Sequence, residues 1–351
     1  MLLNRINNQI TINNTTYLKG NISNSNIEQD VQTFLGQWWD ESDSIELQTS
    51  GSTGEPKTIK VNKSQLIASA KQTIDFFNLH PGMTALLSLP TSFIAGKMMI
   101  VRAIVGELNL ITVPITSTPL AWINREIDFA AFTPMQISKE LKQNSKNLSL
   151  LKTVIIGGGK INSELNSQLQ NAPFKAYETY GMTETLSHVA LRKANELDKQ
   201  NAFFPISDQY DFKVSATGTL MINAAEITNG WVTTNDLVRF NIDGSFSILG
   251  RSDNIINSGG IKHSPEEIED KISSLIKSAF IITSLEDKEL GEKVILIIEG
   301  SKTDEKQLTK ELETKLNKYE RPKSIYHLPK FAYTTSGKIK RRETTEMVKR
   351  G

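Results

Sequence analysis

Four short apolar runs constrain this chain more than anything else in it: Ala85–Leu89, Leu110–Pro114, Phe129–Thr133 and Thr153–Ile156. They are strand-sized, too short to span a membrane, and read as buried strands. Segments of helical spacing lie between them. Ser64–Phe77 places Leu66, Ile67, Ala70, Ile74 and Phe77 along a helix, and Lys97–Val105 is an apolar helix interrupted by Lys97 and Arg102. Strands alternating with helices predict α/β layers with parallel pairing. Beyond Asn201 the chain turns strand-rich and then compact. The expected fold is a large N-terminal α/β domain (layered sheets with helices) plus a small C-terminal α+β domain. The polar break Ser252-Asp253-Asn254 sets the expected boundary, giving 1–251, a hinge at 252–254, and 255–351.

Composition narrows the classes. The 351 residues leave room for two or three domains with an ample core. Forty basic against 39 acidic residues leave a net charge of +1, so no global field selects nucleic acid or an anionic membrane. The absence of cysteine excludes disulfides and thiolate metal sites. Residues 1–9 contain no apolar run of signal-peptide length, and the expectation is a soluble cytoplasmic protein without membrane insertion.

Five segments carry chemistry. Thr49-Ser50-Gly51-Ser52-Thr53-Gly54-Glu55-Pro56-Lys57 packs hydroxyls and glycines before a lysine. Turn N–H groups and hydroxyls of this kind make an anion nest, and lysine adds a compact charge. The same composition fits a flexible surface loop. Gly157-Gly158-Gly159 follows a buried strand, where a ligand or a tight turn is equally served. Tyr180-Gly181-Met182-Thr183-Glu184 sets a hydroxyl beside a carboxylate at a strand end, suited to phosphate with magnesium or to a helix cap. Asp236 follows an apolar strand and could accept bonds from a ribose or close a turn. Lys338, after Thr334-Thr335-Ser336-Gly337, has the default reading of a solvated surface charge. Downstream, Ser264, Pro265 and Glu267 mark a helix start with a capping box.

Taken in order, 49–57, 180–184, Asn235-Asp236, Gly250-Arg251-Ser252-Asp253 and Ser336-Gly337-Lys338 resemble the acyl-adenylate-forming (AMP-binding) superfamily. The resemblance spans residues 45 to 342. It implies an ATP-dependent ligase working in two steps, acid plus ATP giving acyl-AMP and pyrophosphate, then acyl transfer to a thiol. Carried over, Thr49, Ser50, Gly51, Ser52, Thr53, Gly54 and Lys57 cradle the β- and γ-phosphates. Gly157, Gly158, Gly159, Tyr180 and Gly181 flank the adenine, and Thr183 contacts the α-phosphate. Glu184 holds magnesium, Asp236 and Arg251 bind ribose, Asp253 is the hinge, and Lys338 bridges substrate carboxylate and α-phosphate.

There are departures. Ser52 stands where threonine is commoner, Asn254 where a second aspartate is common, and Thr91-Ser92-Phe93 where many relatives have an aromatic–histidine pair. Only about fifty residues precede the phosphate loop, which is short for the superfamily. Leu89–Lys97 and the short length resemble the o-succinylbenzoate–CoA ligases of menaquinone synthesis. Ser92, Phe93, Lys97 and Arg102 are then candidates for the acid site, with Lys97 or Arg102 facing a second carboxylate; ordinary solvent-facing positions are the equal alternative. The implied partners are an aryl acid, ATP with Mg²⁺, and CoA as co-substrate, with a homodimer left open. Two other functions stay open: a stand-alone adenylation enzyme loading a carrier protein, and a nucleotide-binding regulator without catalysis.

Overall fold

A computed structural model of the chain describes residues 8–22, 27–48, 58–196, 202–301, 304–334 and 338–350. The chain divides into two compact units. One comprises Met1–Ile161, Leu165–Lys213 and Met221–Val232; the other comprises Asn162–Glu164, Val214–Leu220 and Thr233–Gly351.

The first unit begins with a hairpin, β1 (Gln9–Ile12) and β2 (Thr15–Leu18), then α1 (Gln29–Trp38). Antiparallel β3 (Ser44–Gln48) and β4 (Thr58–Asn62) stand apart as a pair, with Gln48 opposite Thr58. Next come α2 (Lys63–Phe77), β5 (Thr84–Leu87), α3 (Ile94–Val105) and β6 (Asn109–Thr112). They are followed by β7 (Ile127–Phe132), α4 (Pro134–Lys142), β8 (Leu151–Ile156) and α5 (Ser163–Leu169). The unit's main sheet closes with β9 (Lys175–Gly181), β10 (His188–Lys193) and β11 (Phe204–Pro205).

Nine of these strands form one sheet in the order β11-β10-β9-β8-β7-β5-β6-β1-β2. The run from β9 to β1 is parallel throughout, while β10, β11 and β2 are antiparallel to their neighbours. The expected parallel α/β layering is therefore present. One side of the sheet packs a core that includes Leu86, Ile127, Ala130, Phe132, Val154, Ile156 and Ala176. At the outer edge, the β1–β2 turn is Asn13-Asn14, both with positive φ (50° and 66°), as two-residue hairpin turns require. Asn13 exchanges bonds with Thr112, and Asn14 with Asn109, tying the turn to β6.

The chain continues through β12 (Tyr210–Val214), β13 (Thr219–Ala224), β14 (Val232–Phe240) and β15 (Phe246–Arg251). Then follow β16 (Ile256–Ser258), β17 (Ile261–His263), α6 (Pro265–Ile272), β18 (Phe280–Asp287) and β19 (Gly291–Glu299). The last elements are α7 (Glu305–Lys315), β20 (Ser324–Leu328) and α8 (Arg341–Arg350). Strands β16 to β20 make a five-stranded sheet with β19 paired to β18 and β20. Val294, Leu296 and Ile298 pack one face against Ile268, Ile272, Leu308 and Leu312. This is the expected α+β arrangement. Of the capping box at α6, the half from Ser264 to the Glu267 N–H is present at 3.4 Å. Residues 252–254 lie inside the second unit, which gathers the chain from Thr233 onward. No helix among the described residues is long and apolar enough to cross a membrane.

The turn from β9 into β10 is a tight join at the sheet's carboxyl edge. A Cβ on Gly181 would lie 2.2 Å from the Ser187 carbonyl oxygen and 2.7 Å from His188 Cα, both backbone atoms that cannot rotate aside. Gly181→Ala is expected to destabilise the protein by about 1–3 kcal/mol, the range for overpacking, measured as a lowered denaturant midpoint with unchanged slope. An unaltered midpoint would show that β10 can shift away freely.

Candidate active site

Parallel strands place their carboxyl ends on one edge, where ligands of α/β sheets bind, above all where the strand order reverses. The order reverses here between β5 and β7. Thr91-Ser92-Phe93 follows β5, Gly157-Gly158-Gly159 follows β8, and Thr183-Glu184 follows β9. Three segments read from the sequence as sites thus share one edge. Gln136 fastens that edge: its buried amide donates to Ser88 O (3.1 Å) and Thr116 O (3.0 Å) while accepting from Thr133 N (3.0 Å).

Local geometry explains the residue types. Gly158 adopts φ +81°, a left-handed conformation that other residues resist. The loop is held at both ends, by Gly157 N donating to Phe132 O (3.0 Å) and Ile161 N donating to Glu178 Oε1 (2.8 Å). Glu178 is buried with Arg192, whose Nε reaches Glu178 Oε2 at 2.8 Å and whose NH1 reaches Asn166 at 3.0 Å. Tyr180 stacks at a tilt on Phe203, with centroids 5.8 Å apart. Thr183 is buried and Glu184 half-buried in a single 3₁₀ turn, Thr183–Thr185, pinned by Thr185 Oγ1 to Met182 O and Ser187 O. The turn ends on Leu186 at φ +62°, a strained position for a leucine.

Arg102 is the unexpected element of this unit. It lies in the last turn of α3 with 1% exposure, so the solvent-facing alternative is overturned. NH2 donates to Ser187 Oγ at 2.6 Å, NH1 reaches Met99 Sδ at 3.5 Å, and Nε has no partner among the described residues. It forms no ion pair among the described residues. Burial pushes its pKa down to about 9, so it remains a cation at neutral pH. Next to it, His188 bonds Thr73 Oγ1 and Ser187 Oγ, both at 3.3 Å. Burial, then the Arg102 charge, hold this histidine well below its ordinary pKa, hence neutral. Lys97 differs: it is half-buried, its pKa is lowered by desolvation, and its ammonium lies 5.6 Å from the Phe34 ring centroid. Ser92 is exposed, and Phe93 is the residue preceding α3. Reading by sequence missed Ser187 and His188; the signal was an arginine in an otherwise apolar helix, which needs a buried polar partner.

The second unit carries the other candidates. Asp236 lies within β14 rather than after it, directly opposite Arg251 on β15. Arg251 gives its Nε and NH2 to Asp253 (2.9 and 2.8 Å), and its NH1 stands 3.5 Å from Asp236 Oδ1. Asn254 Nδ2 donates to Glu266 Oε1 at 2.5 Å, a place where a second aspartate would face a carboxylate. Lys338 is exposed by area, yet desolvation and the Arg251 charge lower its pKa while Asp236 opposes them. Lys338 therefore shares an electrostatic environment with Asp236 and Arg251. The segment with Thr49, Ser50, Gly51, Ser52, Thr53, Gly54 and Lys57 lies outside the described residues.

The model of the AMP-binding enzyme family matches residues 14–225, more than half of the chain. The chain belongs to the AMP-binding enzyme family. Within this family, a 2-succinylbenzoate–CoA ligase of Salmonella typhimurium is 27% identical over 314 residues, covering 86% of this chain and 68% of its own length. An AMP-forming acyl-CoA synthetase/AMP-acid ligase II-like protein of Dyadobacter fermentans is 34% identical, with a TM-score of 0.62, covering 93% of this chain and 97% of that one. O-succinylbenzoate coenzyme A synthetase of Bacillus subtilis, solved with ATP and magnesium, shares the fold at a TM-score of 0.77 and 21% identity, covering 86% of this chain and 69% of that one. The architecture of this AMP-binding enzyme is that of the adenylate-forming fold.

Two predictions follow from the charges. A guanidinium buried without a carboxylate costs stability, so Arg102→Met should raise the unfolding free energy by on the order of 1–4 kcal/mol; a lowered denaturant midpoint would contradict it. Burial pushes the Asp253 carboxyl up, but the Arg251 hydrogen bond and charge, with Asn235, outweigh it and hold the pKa low. Its stabilising effect is thus full above the unfolded carboxyl value and lost as pH falls through the lowered one. Asp253→Asn should cost about 1 kcal/mol above about pH 4 and progressively less below it, in denaturation at stepped pH.

Proposed function

We propose that this AMP-binding enzyme is an ATP-dependent acid–CoA ligase whose acid carries a second carboxylate, with 2-succinylbenzoate as the substrate. The observation that carries this reading is Arg102, a buried cation without a carboxylate partner among the described residues, bonded to Ser187 just past the Thr183–Glu184 turn. A buried charge is retained at such cost where a ligand completes it. The names of the Salmonella and Bacillus relatives support the same acid.

The proposed roles are those that the family resemblance implies for these residues. The glycine loop at 157–159 and Tyr180 bound the adenine, while Asp236 and Arg251 hold the ribose. Thr183 donates to the α-phosphate. Among the described residues no cluster of three or more acidic or histidine side chains could hold a metal alone. A single carboxylate at Glu184 suits Mg²⁺, which takes most of its ligands from phosphate and water. When bound there, the ion neutralises phosphate charge. Lys338 approaches the substrate carboxylate and the α-phosphate, where both partners are anionic and repel. The substrate carboxylate oxygen attacks the α-phosphorus and pyrophosphate leaves. The thiol sulfur of CoA, its proton lost, then attacks the acyl carbonyl and AMP leaves. One lysine and one pantetheine arm share a path to that carbonyl, so a pivot at 252–254 is part of the proposal.

The test is pyrophosphate release over aryl, fatty and amino acids, with and without CoA. Lys338→Ala should lower adenylate formation by at least ~10²-fold while thioester formation from supplied acyl-adenylate persists. Arg102→Met should raise KM for 2-succinylbenzoate by at least ~30-fold, the scale for removing one partner of a buried charge pair, and leave an analogue that keeps the reacting carboxylate but lacks the second one unaffected. An unchanged KM for 2-succinylbenzoate in this variant would remove Arg102 from the acid site.

A further inference from the structure

Lys338 stands on a small hairpin whose limbs meet at Tyr333 and Ile339. Thr334 N donates to Lys338 O (2.8 Å), Lys338 N to Thr334 Oγ1 (3.0 Å), and Lys340 N to Ala332 O (2.8 Å). An isolated hairpin is marginal at best, so its aim depends on what anchors each limb. The limb after Lys338 is anchored by Arg341, which grips Glu269 on α6 through NH1 (2.6 Å) and NH2 (3.1 Å) and also bonds Ile282 O. The limb before it is anchored by Glu299. That carboxylate accepts from Phe331 N (2.7 Å) through one oxygen and from the Tyr333 hydroxyl (2.9 Å) through the other. Glu299 ends β19, opposite Leu328 on β20, with its own N–H on Ala279 O. Its position is therefore fixed by the sheet.

We infer that Glu299 and Tyr333 are positioning residues for Lys338, holding the hairpin so that the ammonium meets the reacting oxygens during adenylation. This deepens the reading of Lys338 as the adenylation lysine and rests on it. Neither residue touches reactants. Tyr333 is 36% exposed, and a bond at the surface of this kind contributes little to stability. Its effect is geometric: two bonds on one carboxylate fix residues 331 and 333 together, and the 333–339 bridge passes that register to residue 338. A charge-assisted bond to a carboxylate suits the task because it is short and directional. Desolvation, then the Glu299 contact, push the Tyr333 pKa up to about 12, so the hydroxyl stays a donor across the working range.

The two half-reactions separate positioning from folding. Tyr333→Phe, Glu299→Ala, Glu299→Gln and Lys338→Ala are made in the full chain and assayed on the acid that the panel identifies. Adenylation is read as pyrophosphate release without CoA, and thiolation as thioester formed from added acyl-adenylate and CoA. Tyr333→Phe should slow adenylation about fivefold at unchanged KM for ATP, and leave thiolation unaffected. Glu299→Ala should slow it further, and Glu299→Gln, which keeps an acceptor for one donor, should recover part of the loss. Equal losses in both half-reactions, or normal adenylation in Tyr333→Phe and Glu299→Ala, would overturn the inference. Normal adenylation in Lys338→Ala would instead overturn the reading beneath it.

Discussion

Six adjacent strands running the same way leave six carboxyl ends on one edge, and the rest of the first unit depends on that constraint. Because β5, β8 and β9 are parallel neighbours or near neighbours, segments far apart in sequence are delivered to one line. Antiparallel β10 then begins at the same edge, opposite Gly181, which is why Ser187 arrives beside the Thr183–Glu184 turn. Gln136 locks the strand ends by satisfying every polar atom it presents. A buried amide that is fully bonded stiffens its surroundings, whereas one left partly bonded would weaken them.

Against this frame, the Arg102 cluster is less fully bonded among the described residues. Glu178 and Arg192 show how the same unit treats a structural charge pair, with both members buried, bonded to each other and bonded to backbone or amide groups. Arg102 has a serine hydroxyl, a thioether and an idle Nε. His188, held neutral beside it, withholds a second positive charge and so keeps the local field to one cation. The contrast is between a charge pair satisfied within the fold and a buried cation bonded to neutral groups.

Much of this was legible in the sequence. The apolar runs became β5 to β8, α2 and α3 formed where the spacing placed them, and the segments taken in order identified the family. What escaped has physical causes. Helical periodicity assigned Arg102 to α3 but could not say which face was solvent, because apart from Lys97 and Arg102 the helix carries no polar side chain and only packing decides. Asp236 looked like the residue ending a strand; the partner β15 prolongs β14 past it, a pairing that is non-local. Ser187 carries no local signal, being one serine among many until the β9–β10 turn brings it to Arg102. Glu299 gave no sign either, since its role depends on Tyr333, thirty-four residues later.

The β1–β2 hairpin has a bearing on how the molecule behaves in a crowded solution. Without it, β6 would present a row of open backbone donors and acceptors at the margin of a large sheet, a template on which another chain could grow. With it, the outermost strand is only four residues long and ends in a turn whose asparagine side chains are already engaged by Asn109 and Thr112. A short margin with its turn tied inward offers little for a neighbouring molecule to extend. The hairpin thus acts as a stop against sheet-to-sheet self-association, a service to solubility that is separate from anything at the carboxyl edge.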